Sequence, residues 1–301
     1  MHDVLHLIKE NPKMKKIFAT LLMAFSSLAF AGSTIHGAGA TFPYPLYAKW
    51  ATAYEAETGV KLNYQSIGSG GGIKQIKAKT VDFGASDAPL KQEELDEYGL
   101  VQFPVIAGTV VTPVNLPGVD VSKMSLTIDI ISDIYLGKIT KWNDPAIQAL
   151  NPSLELPNKS IVPVRRADGS GTTYLFSKNL SKEFQEKVGV GKTLAWPVGV
   201  GGKGNEGVAA YVKQLPYSIG YVENAYAKSN GLPTPAIDKV MKGESFIIMY
   251  KQSANPEAAK DVKAFYLWGM TKGKKFAEEL FYYPLDADAI KASQKIMDEV
   301  K

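Results

Sequence analysis

Cysteine is absent from the 301 residues, and histidine occurs only three times. The first absence excludes disulfides, thiolate nucleophiles and cysteine metal sites, although it does not identify the compartment, since many exported proteins have none. The second leaves little for a Ser-His-Asp triad or a multi-histidine metal site. Once an N-terminal address is removed, both would have to use His36. The chain also lacks an apolar stretch of the roughly 20 residues that a spanning helix needs. A dense basic run with interleaved aromatics is missing too, which disfavours nucleic acid as a partner. No repeat or low-complexity segment is visible, and neither a metal nor a cofactor is expected. Charge of one sign is scarce as well, with 34 Lys and Arg against 30 Asp and Glu and a net charge of +4.

Hydrophobic content of 45% and charged content of 21% fit a soluble globular chain, and its length points to two domains of ordinary size. The N-terminus reads as an address. Met14-Lys15-Lys16 is basic, residues 17–30 are mostly apolar, and Ala29-Phe30-Ala31 has the small-x-small form that signal peptidase accepts, so cleavage is expected after Ala31. Residues before Met14 read as an upstream extension. Without the address the chain keeps a charge of about +2, too weak a field to steer an anion.

Strand and helix patterns alternate along the rest, which indicates α/β layers. Gly37-Ala38-Gly39-Ala40-Thr41-Phe42-Pro43 leads into a helix carrying Tyr47, Trp50, Ala51 and Tyr54, with Thr41 as its N-cap candidate and Gly59 at its end. Val60, Leu62 and Tyr64 alternate as a half-buried strand, followed by Gly68-Ser69-Gly70-Gly71-Gly72 and a helix over 73–78. A strand over 81–85 delivers Asp87 at its carboxyl end, where open α/β sheets bind ligands; by itself Asp87 reads equally as an N-cap for a helix over 90–98. The run 103–115 reads as a long strand crossing between domains. Helices are expected over 128–135, 172–179, 182–188 and 208–215, and strands near 194–198 and over 219–222. A strand over 246–250 returns to the first domain, followed by helices over 256–269, 274–280 and 288–301.

The stretch Arg165-Arg166-Ala167-Asp168-Gly169-Ser170-Gly171-Thr172-Thr173 lies between a strand over 161–164 and the helix over 172–179. It reads as an anion cradle, with free first-turn amides, hydroxyl donors on Ser170 and Thr172, glycines for close approach and an arginine fork. Taken alone it is equally a surface loop closed by an N-cap. Two phosphate-binding patterns nearby are rejected. Gly189-Val190-Gly191-Lys192-Thr193 lacks the leading P-loop glycine, since Glu186 stands there. Gly199-Val200-Gly201-Gly202-Lys203-Gly204 satisfies a dinucleotide pattern, but Pro197 precedes it and an exported protein has little access to such cofactors.

Together, residues 37–43, 67–72, 81–87, 165–172 and 201–207 resemble the periplasmic phosphate-binding proteins of the phosphate-specific ABC transporter. The similarity runs from about Gly32 to Ala227 and resumes from Phe246 to near the end. It implies a two-domain α/β clamp of the periplasmic-binding-protein type, type II-like, each lobe a mixed sheet flanked by helices. The expected division is 32–106 and 243–301 for the first domain and 107–242 for the second, after an N-terminal 1–31. Inorganic phosphate is the implied ligand, an inner-membrane ABC permease with its ATPase the implied partner, the periplasm the compartment and a monomer the expected state.

By position the resemblance implies that Thr41, the Phe42 amide, Ser69, Ser170, Gly171 and Thr172 donate to the anion. Of the two arginines it points to Arg166, held by Asp168, and neighbours on an extended chain do face opposite ways. It also implies that Asp87 accepts from the bound anion. A desolvated carboxylate is satisfied by a P–OH donor and repels sulfate, which brings acceptors only. Two departures from the family stand out: Gly70 where a serine is common, and a segment between Ala227 and Phe246 that is much shorter than usual. The competing class is an exported phosphoryl-transfer enzyme such as a phosphatase, with Ser170 as nucleophile. It lacks a histidine or cysteine partner and a carboxylate cluster with metal spacing.

Overall fold

The computed structural model describes residues 32–301, so the export signal and its cleavage point lie outside the described residues. Strand β1 (Thr34–Gly39) leads into helix α1 (Tyr44–Thr58), which buries Leu46, Tyr47, Trp50 and Tyr54 along one face and closes at Gly59. Its first turn holds Pro43 and has no side-chain cap. Thr41, expected to cap it, sends its hydroxyl elsewhere, because the two prolines at 43 and 45 already preset the first turn. Strand β2 (Lys61–Ser66) shows the expected alternation of exposed and half-buried residues. Helix α2 (Ser69–Lys77) begins within the glycine run itself, four residues earlier than periodicity indicates, because small residues carry no apolar signal. Strand β3 (Phe83–Ser86) follows, then helix α3 (Gln92–Tyr98), whose start lies at Lys91; Asp87 therefore does not cap it.

The long strand is β4 (Leu100–Val111), continued after Thr112-Pro113 by β5 (Val114–Asn115). A boundary after residue 106 therefore falls inside β4. Strand β6 (Ser125–Leu126) and helices α4 (Ile128–Tyr135) and α5 (Pro145–Leu150) precede β7 (Val162–Arg166). Helices α6 (Gly171–Ser177) and α7 (Lys182–Lys187) lead to β8 (Val200–Gly202) and α8 (Gly204–Gln214). No strand forms at 194–198; Trp196 instead packs its ring against Tyr135, Phe184 and Tyr221, and the glycine-rich segment after it supplies the strand. Strands β9 (Ser218–Ile219) and β10 (Val222–Glu223), helix α9 (Asn224–Ser229) and β11 (Ala236–Ile237) lead to β12 (Met241–Tyr250). Helices α10 (Pro256–Met270), α11 (Lys274–Glu279) and α12 (Ala287–Met297) complete the chain.

These elements form a two-lobed α/β clamp. One lobe carries a six-stranded sheet in the order β10-β4-β12-β3-β1-β2, and the other a four-stranded sheet in the order β5-β9-β7-β8. In the first sheet β1 runs parallel to β2 and β3, so their carboxyl ends open at one edge. In the second, β7 runs parallel to β8 and β9. Strands β4 and β12 pair antiparallel over most of their length, and β4 leads on into β5 of the second sheet. Their register slips between Ser245 and Phe246, opposite Pro104, which has no amide to donate. The shortened segment is bridged compactly: β11 pairs with β6, and β12 then starts at Met241, five residues before the expected Phe246.

Aromatic packing holds each lobe. Tyr47, Trp50, Tyr64, Phe83, Phe265 and Tyr266 interlock edge to face or stacked under the first sheet. Phe176 and Tyr221 stack at 4.1 Å in the second. Each of these rings but Tyr64, which is half-buried, lies inside the core and contributes about 1.5–3 kcal/mol from apolar surface, which fixes the sheet edges that carry the site.

Candidate anion site between the lobes

The carboxyl ends of β1 and β3 deliver Thr41, Phe42 and Asp87, and the start of α2 delivers Ser69. From the opposite lobe, the end of β7 and the start of α6 deliver Arg166, Asp168, Ser170, Gly171 and Thr172. Thr41, Phe42, Ser69, Asp87, Arg166, Ser170 and Thr172 are all buried. The structure brings them together: Ser69 Oγ accepts from Gly171 N across the cleft at 3.0 Å, and Gly70 N donates to Gly169 O at 2.8 Å. Arg166 lies close enough to Asp87 for its charge to act on it.

Alternation along β7 decides between the arginines. Arg166 turns inward and is 3% exposed, while Arg165 lies along Gly199 and Gly201 on the other face. Asp168 grips Arg166 bidentately, at 2.8 Å from Nε and 2.5 Å from Nη2, and its Oδ1 also accepts from Gly204 N at 3.0 Å. Burial pushes the Asp168 carboxyl up, but Arg166 and the Gly204 amide outweigh that and hold it below the usual carboxylate range. The remaining guanidinium nitrogen, Nη1, points to Thr172 Oγ1 at 3.3 Å.

Asp87 has the opposite balance. Burial pushes its carboxyl from 3.8 up to about 7, against the opposing pull of the Ser245 hydroxyl, the Arg166 charge and Ser69. Ser245 Oγ donates to its Oδ1 at 2.8 Å. Among the described residues, nothing accepts a hydrogen bond from the amides of Phe42 or Thr172. Ser170 Oγ accepts from Thr173 N at 2.9 Å and so caps α6. The N-cap is present, but Ser170 is fully buried rather than on a surface loop.

Gly68 takes φ +85°, and a methyl group there would collide with the Asp168 carboxylate that holds Arg166. The glycine-rich stretch at 68–72 is thus shaped by the second lobe.

Sequence reasoning missed four neighbours. Ser245 sits on β12, one residue before the strand expected over 246–250. Tyr221 OH accepts from Arg166 N at 3.0 Å and lies 2.7 Å from Thr173 Oγ1. Asn205 follows the glycine pattern set aside as a decoy, which does form a strand-to-helix junction, and its Nδ2 reaches Thr41 Oγ1 at 2.7 Å and Thr172 Oγ1 at 3.0 Å. Glu223 is fully buried beside it, and burial pushes its carboxyl well above the usual range. Among the described residues, no group of three or more His, Asp or Glu is placed to hold a metal ion.

This arrangement sets donors from two lobes around one buried carboxylate and one buried guanidinium. Residues 26–281 match the family described as PBP superfamily domain. The chain is 48% identical over 314 positions to the phosphate-binding protein PstS of Haemophilus influenzae, covering 89% of this chain and 94% of that one. It is 46% identical over 327 positions to PstS of Pasteurella multocida, covering 93% and 95%. A phosphate-binding protein structure from Stenotrophomonas maltophilia superposes with a TM-score of 0.69 at 17% identity, covering 87% of this chain and 93% of that one, which supports the same fold. By its fold and by sequence identity along nearly its whole length, the chain belongs to the PstS family of phosphate-binding proteins within the PBP superfamily.

Proposed function

We propose that this chain is a periplasmic solute receptor, exported by a cleavable signal, that binds one inorganic phosphate between its lobes as a monomer. It hands the anion to an inner-membrane ABC permease driven by an ATPase. Thr41, the Phe42 amide, Ser69, Ser170, Gly171, Thr172 and Arg166 serve the acceptor oxygens, and Asp168 holds Arg166 in place. Asp87 accepts from the protonated oxygen and excludes sulfate. The first lobe comprises 32–106 with 243–301 and the second 107–242, joined through β4 and β12.

The observation that carries this reading is the burial of Asp87 and Arg166 at one interlobe cleft, where a single ligand can meet both. An enzymatic reading finds no such support, since the Ser170 hydroxyl accepts from Thr173 N and, among the described residues, is not hydrogen-bonded to a histidine. Equilibrium binding of labelled phosphate at pH 8 tests the receptor. One-to-one saturation is expected, with arsenate competing and sulfate not. Equal competition by sulfate, or no saturable binding, refutes it.

Closure of the lobes depends on Gly171, where an added methyl would collide with Ser69 Oγ and lie 2.5 Å from Asp87 Oδ2. Gly171→Ala is expected to raise the phosphate Kd by about tenfold or more, equivalent to losing one charge-assisted hydrogen bond. Its far-ultraviolet circular dichroism should stay unchanged. Wild-type affinity in calorimetric titration of this variant would show that the lobes need not approach so closely.

A further inference from the structure

We propose that Asn205 is a positioning residue that fixes the hydroxyl protons of Thr41 and Thr172 toward the bound anion, so that both threonines act only as donors; this rests on the phosphate-receptor reading above. The side-chain amide is fully buried at the start of α8. Its orientation is forced. The Glu223 backbone N–H donates to Oδ1 at 2.8 Å, and an N–H facing the amide nitrogen would leave two donors opposed. The NH2 group therefore faces the threonines and gives one hydrogen to each.

The consequence follows from hydroxyl capacity, which is two acceptor positions and one proton. Thr41 Oγ1 accepts from Asn205 N at 3.1 Å and from Asn205 Nδ2 at 2.7 Å. Both acceptor positions are taken, and the proton is left to donate. Thr172 Oγ1 accepts from Asn205 Nδ2 at 3.0 Å and from Arg166 Nη1 at 3.3 Å, with the same result. One residue thus sets the polarity of hydroxyls from both lobes. The threonine side of the cleft then takes deprotonated oxygens only, and Asp87 is left as the acceptor for a protonated one. The ligand class is narrowed to tetrahedral oxyanions with a single protonated corner.

Asn205→Leu preserves volume, adds no charge and frees both hydroxyls to rotate and to accept. Phosphate Kd is expected to rise about tenfold at pH 8.5, where the anion carries one proton. At pH 6 the anion carries two, the released hydroxyls can accept from the second, and the ratio of variant to wild-type Kd should shrink severalfold. The titratable and charged groups near the two hydroxyls are Asp87, Arg166, Asp168, Glu206, Glu223 and Tyr226. All remain in the variant, so they act in both arms.

A second comparison adds Asn205→Leu to Thr41→Val with Thr172→Val. If Asn205 acts through these hydroxyls, it causes little further loss in that background. Asn205→Ser carries both comparisons if Asn205→Leu does not fold. A Kd ratio that stays flat between pH 6 and 8.5, or a loss that adds in full to that of the double valine variant, overturns the positioning role. Failure of the wild-type chain to bind phosphate would instead refute the receptor reading itself.

Discussion

Asp87→Asn is expected to lose most of its preference for phosphate over sulfate while becoming more stable in the absence of ligand. An ionised carboxylate here meets acceptor oxygens on sulfate but a P–OH on phosphate, and one failed pairing of a buried charge costs about 1–3 kcal/mol or more. That is a factor of about ten, or well beyond, in relative affinity. Asparagine can donate to sulfate, so the distinction disappears. The carboxyl titrates near 7 because of burial, so wild-type selectivity should itself be strongest above that pH and weaken as pH falls through it. Competition titrations at pH 6 and pH 8.5 check both statements. An Asp87→Asn variant that still rejects sulfate at pH 8.5 would end the carboxylate's role in selection.

The stability effect comes from the same shift. The native pKa of Asp87, about 7, exceeds its usual 3.8, so the native state favours the neutral acid and the unfolded state ionises first. The resulting destabilisation is absent below the unfolded value, grows between the two, and is complete above about 7. Three units or so correspond to about 4 kcal/mol. Asp87→Asn removes it, so the melting temperature should rise by several degrees at pH 8.5 and hardly change near pH 4. An equal rise at both would show that the gain has another origin.

Arg166→Met should abolish useful phosphate binding, by at least about 100-fold, because it deletes the buried cation that faces the anion. It should also unsettle the fold. Asp168 would keep the Gly204 amide but lose its bidentate partner, and breaking a buried pair costs about 3–5 kcal/mol, less here because the carboxylate is partly open to solvent. The double change Arg166→Met with Asp168→Leu separates the two effects. Stability should largely return in urea unfolding, since a neutral pair of similar volume removes the orphaned charge, while binding stays lost. Recovery of binding in the double variant would show that Arg166 acts only by neutralising Asp168. Arg165→Ala, on the opposite face of β7, should change the affinity by less than about twofold.

Local chemistry was legible where a residue type leaves a strong periodic or punctuating mark. Helix α4 runs over 128–135 as its isoleucine spacing requires, and α1 ends at Gly59 because that position must adopt a left-handed turn. The stretch at 165–172 stood out by its glycines, hydroxyls and arginines at a strand-to-helix junction, but only together with the other spaced motifs. The strand expected at 194–198 failed because its alternating apolar residues, half-buried at Leu194, Trp196 and Val198, pack through side chains and not through backbone pairing. Trp196 is satisfied by ring packing, whereas the backbone of Val200–Gly202 lies where β7 needs a parallel neighbour. Thr41 failed as a cap because its hydroxyl has stronger claimants 164 residues away.

The sequence by itself determined the layered α/β class, the glycine-rich junctions and, through its spaced motifs, the family. Only the tertiary structure decided which groups face one another across the cleft. Ser245 on Asp87, Tyr221 on the Arg166 amide and Asn205 between two threonines are contacts between lobes or between distant strands. Their partners are set by strand register and lobe closure, which arise from the packing of whole sheets. A short-range pattern holds no record of them, because hydrogen-bond polarity at a buried hydroxyl depends on every donor around it rather than on its neighbours in the chain.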